Sequence, residues 1–171
     1  SGTTGPSEIN PATGKRYGMD FPIITIADMV DVQKLLLDKL GVHRLLGVIG
    51  GSMGGMQVLQ WAISYPKMVS GAMVIASTTR LNAQSIAFDA VGRNAILADG
   101  NFAGGQYHDK DGPDQGLSIA RMIGHITYLS EQSMHEKFGR QLRNADEYRY
   151  DFKSEFAVET YLDHQGQTFV E

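Results

Sequence analysis

The residues best placed to do chemistry are Gly50-Gly51-Ser52-Met53-Gly54, a hydroxyl set among glycines. A serine hydroxyl attacks poorly unless a base takes its proton and donors hold the oxyanion that forms. The spacing G-x-S-x-G answers part of that need. Small residues on either side permit a sharp turn from a strand into a helix. That turn exposes the serine Oγ at the C-terminal edge of the sheet and aims the next backbone N–H, that of Met53, at the oxyanion. The helix N-terminus adds positive potential at the same place. Ser52 is therefore the candidate nucleophile and Met53 the candidate backbone donor. Crowding in such a turn accounts for Gly50 and Gly54, and Gly51 and Gly55 add freedom. The bland alternative is an ordinary glycine-rich turn, one that holds a phosphate for example. A phosphate loop reads G-x-x-x-x-G-K-[ST] and a dinucleotide turn G-x-G-x-x-G, and neither pattern is present.

A bare G-x-S-x-G arises often by chance, so the flanking elements decide its meaning. Thr25-Ile26-Ala27-Asp28 fits a capping box, and Met29, Val32, Leu36 and Leu40 recur at helical spacing up to a stop at Gly41. Leu45 to Ile49 is a short, continuously apolar run, which suits a parallel strand buried on both faces. After the turn a helical pattern with Met56, Leu59, Trp61 and Ile63 runs to Ser64, and Pro66 blocks it. Val69 to Ala76 reads as the next buried strand. Helix, strand, helix, strand is the signature of a parallel α/β sheet. Beyond Ser77 the strands cease. Helices are expected from Asn82 to about Leu97, from Pro113 to about Leu129, from Ser130 to Phe138, and from a Ser154 cap to a point before Gly166. Residues 1–24 and 99–112 read as loop. A helical insertion after a core strand often forms a lid over the site. The expected division is thus 1–79 as part of an α/β core and 80–171 as a helical lid.

The chain has 171 residues, 42% of them hydrophobic, with a net charge of −4 and no cysteine. That suffices for one domain with a core. No basic face suggests nucleic acid, no apolar run reaches membrane-spanning length, and no leader is visible. The lack of cysteine excludes disulfides and thiolate metal sites and is compatible with the cytoplasm. His43, His108, His135 and His164 have no metal-ligand spacing and read as surface residues, so no metal is expected. Asp109, Lys110, Asp111 and Asp114 read as a solvated loop, Arg93 as structural, and Met53 and Met56 as pocket lining or packing under the turn. The Ser1-Gly2-Thr3-Thr4-Gly5-Pro6 opening and the Gln167-Thr168-Phe169-Val170-Glu171 close suggest an internal piece of a longer enzyme.

Wider stretches add to this. Gly2-Thr3-Thr4-Gly5-Pro6-Ser7, Ile9-Asn10-Pro11, Tyr17-Gly18-Met19-Asp20-Phe21-Pro22, Gly50 to Gln57, Ala76-Ser77-Thr78, Ala87-Phe88, Gly92-Arg93, Ala120 to Tyr128, Lys137-Phe138-Gly139-Arg140 and Gln165-Gly166 together resemble the homoserine O-acetyltransferase family. The resemblance implies an α/β-hydrolase fold, here a partial parallel sheet core with a helical lid insertion. It implies a Ser-His-Asp triad and a double displacement. Ser52 takes the acetyl group from acetyl-CoA, a co-substrate, with no cofactor. The hydroxyl of L-homoserine then attacks the acyl-enzyme, a step in methionine biosynthesis. It places the triad Asp and His, and the second oxyanion donor, outside this chain. It gives Arg121 and Tyr128 places beside the substrate, and it implies a cytoplasmic homodimer joined through lid helices.

A planar Arg fork matches a carboxylate bidentately, which suits Arg121 to an amino-acid substrate. Tyr128, two turns on along the expected helix, can share its face. The alternatives are an ion pair of Arg121 with an acid such as Asp114, and a packed aromatic at Tyr128. His125 comes from the lid and reads as structural, not as the triad base. Other functions stay open: a succinyl donor, a serine acceptor, an esterase on the same fold, or an inactive or partnering module.

Overall fold

The computed structural model describes residues 4–107, 111–143, 146–153 and 155–171. The chain forms two compact units, one of residues 22–82 and one that joins residues 1–21 to residues 83–171.

The first unit runs α1 (Ile26–Lys39), β1 (Val48–Gly51), α2 (Met53–Ser64), β2 (Ala72–Ile75). The capping box at the start of α1 is formed: Asp28 N–H donates to Thr25 Oγ1 at 3.2 Å and Thr25 N–H donates to the Asp28 carboxylate at 2.7 Å. Gly41, at φ +69°, reverses the chain after the helix. β1 and β2 pair in parallel, Val48 with Ala72 through Gly51 with Ile75, and α2 is the crossover between them. A parallel βαβ connection of this kind needs a helix of such length to span back along the sheet.

The strands depart from expectation in two ways. β1 begins three residues later than the expected Leu45–Ile49 and runs on to Gly51, and β2 occupies only the middle of the expected Val69–Ala76, because Leu45 pairs with Val69 only as an isolated bridge. The pairing is interrupted where Leu46-Gly47 lies beside Gly71: an added Cβ at either glycine would meet the other segment's backbone carbonyl at 3.6 Å. The strands are also not buried. β2 is exposed along its whole length, Ile49 of β1 is 69% exposed, and Leu46, just ahead of β1, is 93% exposed. The core of this unit is the α1–α2 layer instead, with Val30, Val58 and Trp61 buried. Trp61 Nε1 donates to Gln33 Oε1 at 2.7 Å, and Gln33 Nε2 donates to Gln57 Oε1 at 2.6 Å, so the two helices are joined by a polar chain.

The second unit holds α3 (Ala83–Ala98), α4 (Asp114–Thr127), α5 (Glu131–Phe138) and α6 (Ala157–Val170). α4 packs on both α3 and α6. Glycines set these approaches. A Cβ at Gly116 would run into the backbone of Ala95 and Ile96, and one at Gly166 into Ser118 Oγ. Gly166 is therefore not a helix stop: α6 passes through it to Val170, because the position is needed for close contact with α4. The expected Ser154 cap lies outside the described residues. α6 begins at Ala157, where the Glu159 carboxylate reaches back to accept from the Phe156 and Glu155 N–H groups at 2.8 and 2.9 Å. α5 is as expected, with Ser130 Oγ accepting from Ser133 N–H at 3.1 Å and Gly139 at φ +51° ending it.

Residues 4–21 depart from the expected 1–79 core, since they belong with the helices. Their short turn Gly18–Asp20 packs against the turn Ala103–Gly105. Gly18 lies against Gln106, and a Cβ on Gly105 would fall 2.5 Å from Met19 Cγ. A sequence shows such a contact poorly, because its partners are far apart in the chain and small.

Candidate active site

Ser52 closes β1 and opens α2 at φ +52° and ψ −122°, a backbone state that costs a non-glycine residue about 1–3 kcal/mol. Hydrogen bonds on both sides hold it there. Its N–H donates to Ile75 O of β2 at 3.0 Å, and its carbonyl accepts from the Gly55 and Met56 N–H groups at 2.9 and 3.3 Å. Glycines leave room for the bend. A Cβ on Gly50 would collide with the Gly54 carbonyl, and one on Gly55 would lie 2.5 Å from Ser77 Cβ. The strand-turn-helix expected from the spacing is the one formed. Ala76, the residue after β2, is also in a left-handed conformation, at φ +46°. Two strained residues thus stand side by side where the paired strands end.

The Ser52 side chain is exposed. The Met53 N–H lies in the first turn of α2, where backbone donors have no partner within the helix. The turn therefore offers a solvent-facing hydroxyl beside a free backbone donor and the positive end of a helix. Nothing among the described residues hydrogen-bonds to the Ser52 side chain. His43 precedes β1, at the strand end opposite Ser52, and is exposed. Met56 lines an apolar groove of about 370 Å³ with Ile26, Leu59 and Ile63. Among the described residues no group of His, Cys, Asp and Glu is arranged to hold a metal ion, and no helix is long and apolar enough to cross a membrane.

In the helical unit Arg121 sits on α4 with its guanidinium over the Phe169 ring, 4.8 Å from the centroid. The alternative of an ion pair with Asp114 is not realised: among the described residues Arg121 pairs with no acid, and its Nε is buried without a hydrogen bond. Tyr128 closes α4 as its C-cap, with a backbone still helical at φ −79° and ψ −17°, and it is 66% exposed, so it is not a packed core aromatic. It meets His125 edge-on at 5.3 Å. His135 and His164 are exposed as expected, while His108, Asp109 and Lys110 lie outside the described residues.

Two further residues escaped the sequence reading. Ser77 follows the strained Ala76, and its hydroxyl is buried against Gly55 with no partner among the described residues. His125 is held by Tyr161, with Nδ1 2.8 Å from the phenol oxygen. Burial, then the nearby positive charges of Arg121 and Lys137, hold its pKa below the ordinary histidine value. No spacing rule marks either residue, since both are defined by elements remote in the chain.

A parallel βαβ unit whose first strand ends in a strained serine beside glycine has the strand-turn-helix form of an α/β-hydrolase core. The model of the alpha/beta hydrolase fold family matches residues 3–171, and the chain belongs to that family. It is 58% identical, over 99% of its length, to a homoserine O-acetyltransferase of Methanohalobium evestigatum, and covers 35% of that protein. It is 56% identical to a homoserine O-succinyltransferase of Magnetococcus marinus, covering 45% of it. Among solved structures it is similar to a homoserine O-acetyltransferase from Bacillus anthracis, with a TM-score of 0.88 and 30% identity over 99% of this chain and 45% of that one. It is also similar to esterase E22, with a TM-score of 0.84 and 33% identity over 99% of this chain and 46% of that one. The chain thus spans about a third to a half of the length of these relatives.

Proposed function

We propose that the chain carries the nucleophile and the acceptor-binding lid of a longer O-acyltransferase, one that moves an acetyl group from acetyl-CoA to the hydroxyl of L-homoserine. Ser52 Oγ attacks the thioester carbonyl, with its proton passing to a base. The tetrahedral oxyanion rests on the Met53 N–H, and the CoA thiol leaves with a proton. The homoserine hydroxyl then attacks the acetyl-Ser52 carbonyl and releases the O-acetyl product and free serine. The base and its acid partner belong to the rest of the enzyme. Arg121 receives the carboxylate of the acceptor, and Tyr128 lies beside it.

The observation that carries this reading is the Ser52 turn, held strained and open beside a free backbone donor. The unpaired guanidinium of Arg121 and the likeness to homoserine acyltransferases support the choice of acceptor. We read the full-length enzyme as a cytoplasmic homodimer joined by lid helices, and sedimentation of the full-length enzyme tests the dimer.

Intact mass of the full-length enzyme after mixing with acetyl-CoA, and separately with succinyl-CoA, tests the reading and the donor. An acetyl adduct on Ser52, discharged by L-homoserine, is the expected result. The likeness to esterase E22 favours a second reading, hydrolysis. CoA release as fast without homoserine as with it would support that reading instead.

A further inference from the structure

Between α4 and α6 lie two nitrogens without partners. Arg121 Nε and His125 Nε2 are both buried and make no hydrogen bond among the described residues. They stand one turn apart on α4, so their side chains share a face. Both face α6: the guanidinium lies over Phe169, and the imidazole meets Tyr161 edge-on at 5.6 Å. A buried polar group left unpaired is costly to the fold. Two of them side by side call for a shared acceptor.

The neighbours settle what kind. Lys137 of α5 places its ammonium over the Tyr161 ring, 4.6 Å from the centroid. A cation over a phenol draws on its π-electrons and makes the O–H a better donor. This favours Tyr161 as the donor to His125 Nδ1, 2.8 Å away, with the proton of the neutral imidazole on Nε2. Nε2–H of His125 and Nε–H of Arg121 are then two donors on one face. The charges that act on His125 are Arg121 on its own helix and Lys137 on α5, both positive; Tyr161 on α6 and Tyr128 at the end of α4 are the other titratable groups against it. The site has a positive field, two donors and no fixed acid, which suits an anion with two acceptor oxygens.

We propose that His125 is a second binding residue for the acceptor's carboxylate, donating from Nε2 to one oxygen while Arg121 holds the other. This rests on the role given to Arg121 above. It makes selection of an amino-acid acceptor, over an alcohol without a carboxylate, the work of a pair of side chains.

The test uses the full-length enzyme. His125→Phe keeps the ring and removes the donor, and His125→Gln restores an N–H near the Nε2 position. The Phe variant is expected to raise KM for L-homoserine about tenfold or more, with the acetyl-Ser52 half-reaction little changed. The Gln variant should recover most of the loss, and the difference between variants should vanish with homoserine amide. A merely structural role would slow both half-reactions and would not tell homoserine from its amide. Unchanged KM in the Phe variant, or an equal penalty with the amide, overturns the proposal. If the wild-type enzyme forms no acetyl adduct on Ser52, the acyltransferase reading fails instead, and calorimetry of L-homoserine with the Ser52→Ala protein reads the carboxylate site by itself. If the Phe variant does not fold, nitrogen-15 NMR of His125 in the wild type decides. A proton on Nε2 whose resonance moves on adding L-homoserine supports the proposal, and a proton on Nδ1 or an unmoved resonance overturns it.

Discussion

Glycine does opposite work in the two units of this chain. In the α/β unit, Gly50 and Gly55 clear space so that one residue, Ser52, can be held in a bend it does not favour. In the helical unit, Gly116 and Gly166 clear space so that ordinary helices can touch, α3 to α4 and α4 to α6. The first use concentrates strain at one atom, and the second spreads close contact along a seam. A glycine lost from the bend should therefore be felt in chemistry, and one lost from the seam in stability.

The largest test of that contrast is Ser52→Ala in the full-length enzyme. Loss of a nucleophile of this kind costs on the order of 10⁶ in turnover, with the unfolding midpoint held within error by denaturant titration. An acetyl adduct on a residue other than Ser52 would show that the bend is not the reacting centre. Arg121→Lys comes next. It keeps the charge and loses the fork, and should cost roughly 2–5 kcal/mol in homoserine use, by analogy with buried charged contacts. Acetyl-enzyme formation, followed by stopped-flow CoA release, should stay near wild type. Equal damage to both half-reactions would make Arg121 structural.

Gly50→Ala sharpens the comparison from the α/β side. Its Cβ meets the Gly54 carbonyl, the turn must open, and a misplacement near 1 Å costs about 10²-fold in rate. Acylation of Ser52 reads it. Gly116→Ala is the matching change in the seam. Overpacking against Ala95 and Ile96 should destabilise by about 1–3 kcal/mol, read by urea titration, with Ser52 acylation unaffected at temperatures below melting. Should Gly116→Ala abolish acylation in a folded protein, the two uses of glycine would not be separable.

The smallest effect concerns pH. Asp99 accepts from the Gly116 N–H at 2.8 Å and from the Asn101 N–H at 2.9 Å, and these two bonds, Gly116's first, hold its pKa below the usual 3.8. A carboxylate with a depressed folded pKa stabilises fully above its unfolded value, and the contribution is lost as pH falls through the folded one. The Gly116 amide proton should therefore titrate with a midpoint below 3.8, while the Ser52 amide should not respond over the same range. A midpoint at or above 3.8 would mean that Asp99 does not cap α4.

What could be read from the sequence follows the same division. The Ser52 turn was legible because its chemistry demands small residues at fixed offsets, and the α1 capping box because its partners lie three residues apart. Gly166 was misread as a stop, since its reason for being glycine is Ser118, on another helix. The strands were recognised, but each pairs only from three residues into its apolar run, because apolar runs mark burial better than pairing, and here much of each run is exposed. Arg121 was singled out by the family resemblance, and its fork suits the carboxylate proposed for it. His125 was set aside, because the tyrosine and lysine that define its state lie on α6 and α5.

The attachment of residues 4–21 to residues 103–107 has a consequence for how the chain comes together. That contact closes a loop containing all of residues 22–82. Closure entropy grows only slowly with loop length, by about 0.6 kcal/mol per doubling, so the arrangement is tolerable at equilibrium. It weighs on order of assembly instead. Residues 4–21 leave the ribosome before the α/β unit, yet their partners emerge only after that entire unit has been made. During that interval Met19, Phe21 and their neighbours have nothing of their own unit to pack against. A break in the chain near residue 23 of the finished protein would leave residues 4–21 held to the helices by contact alone.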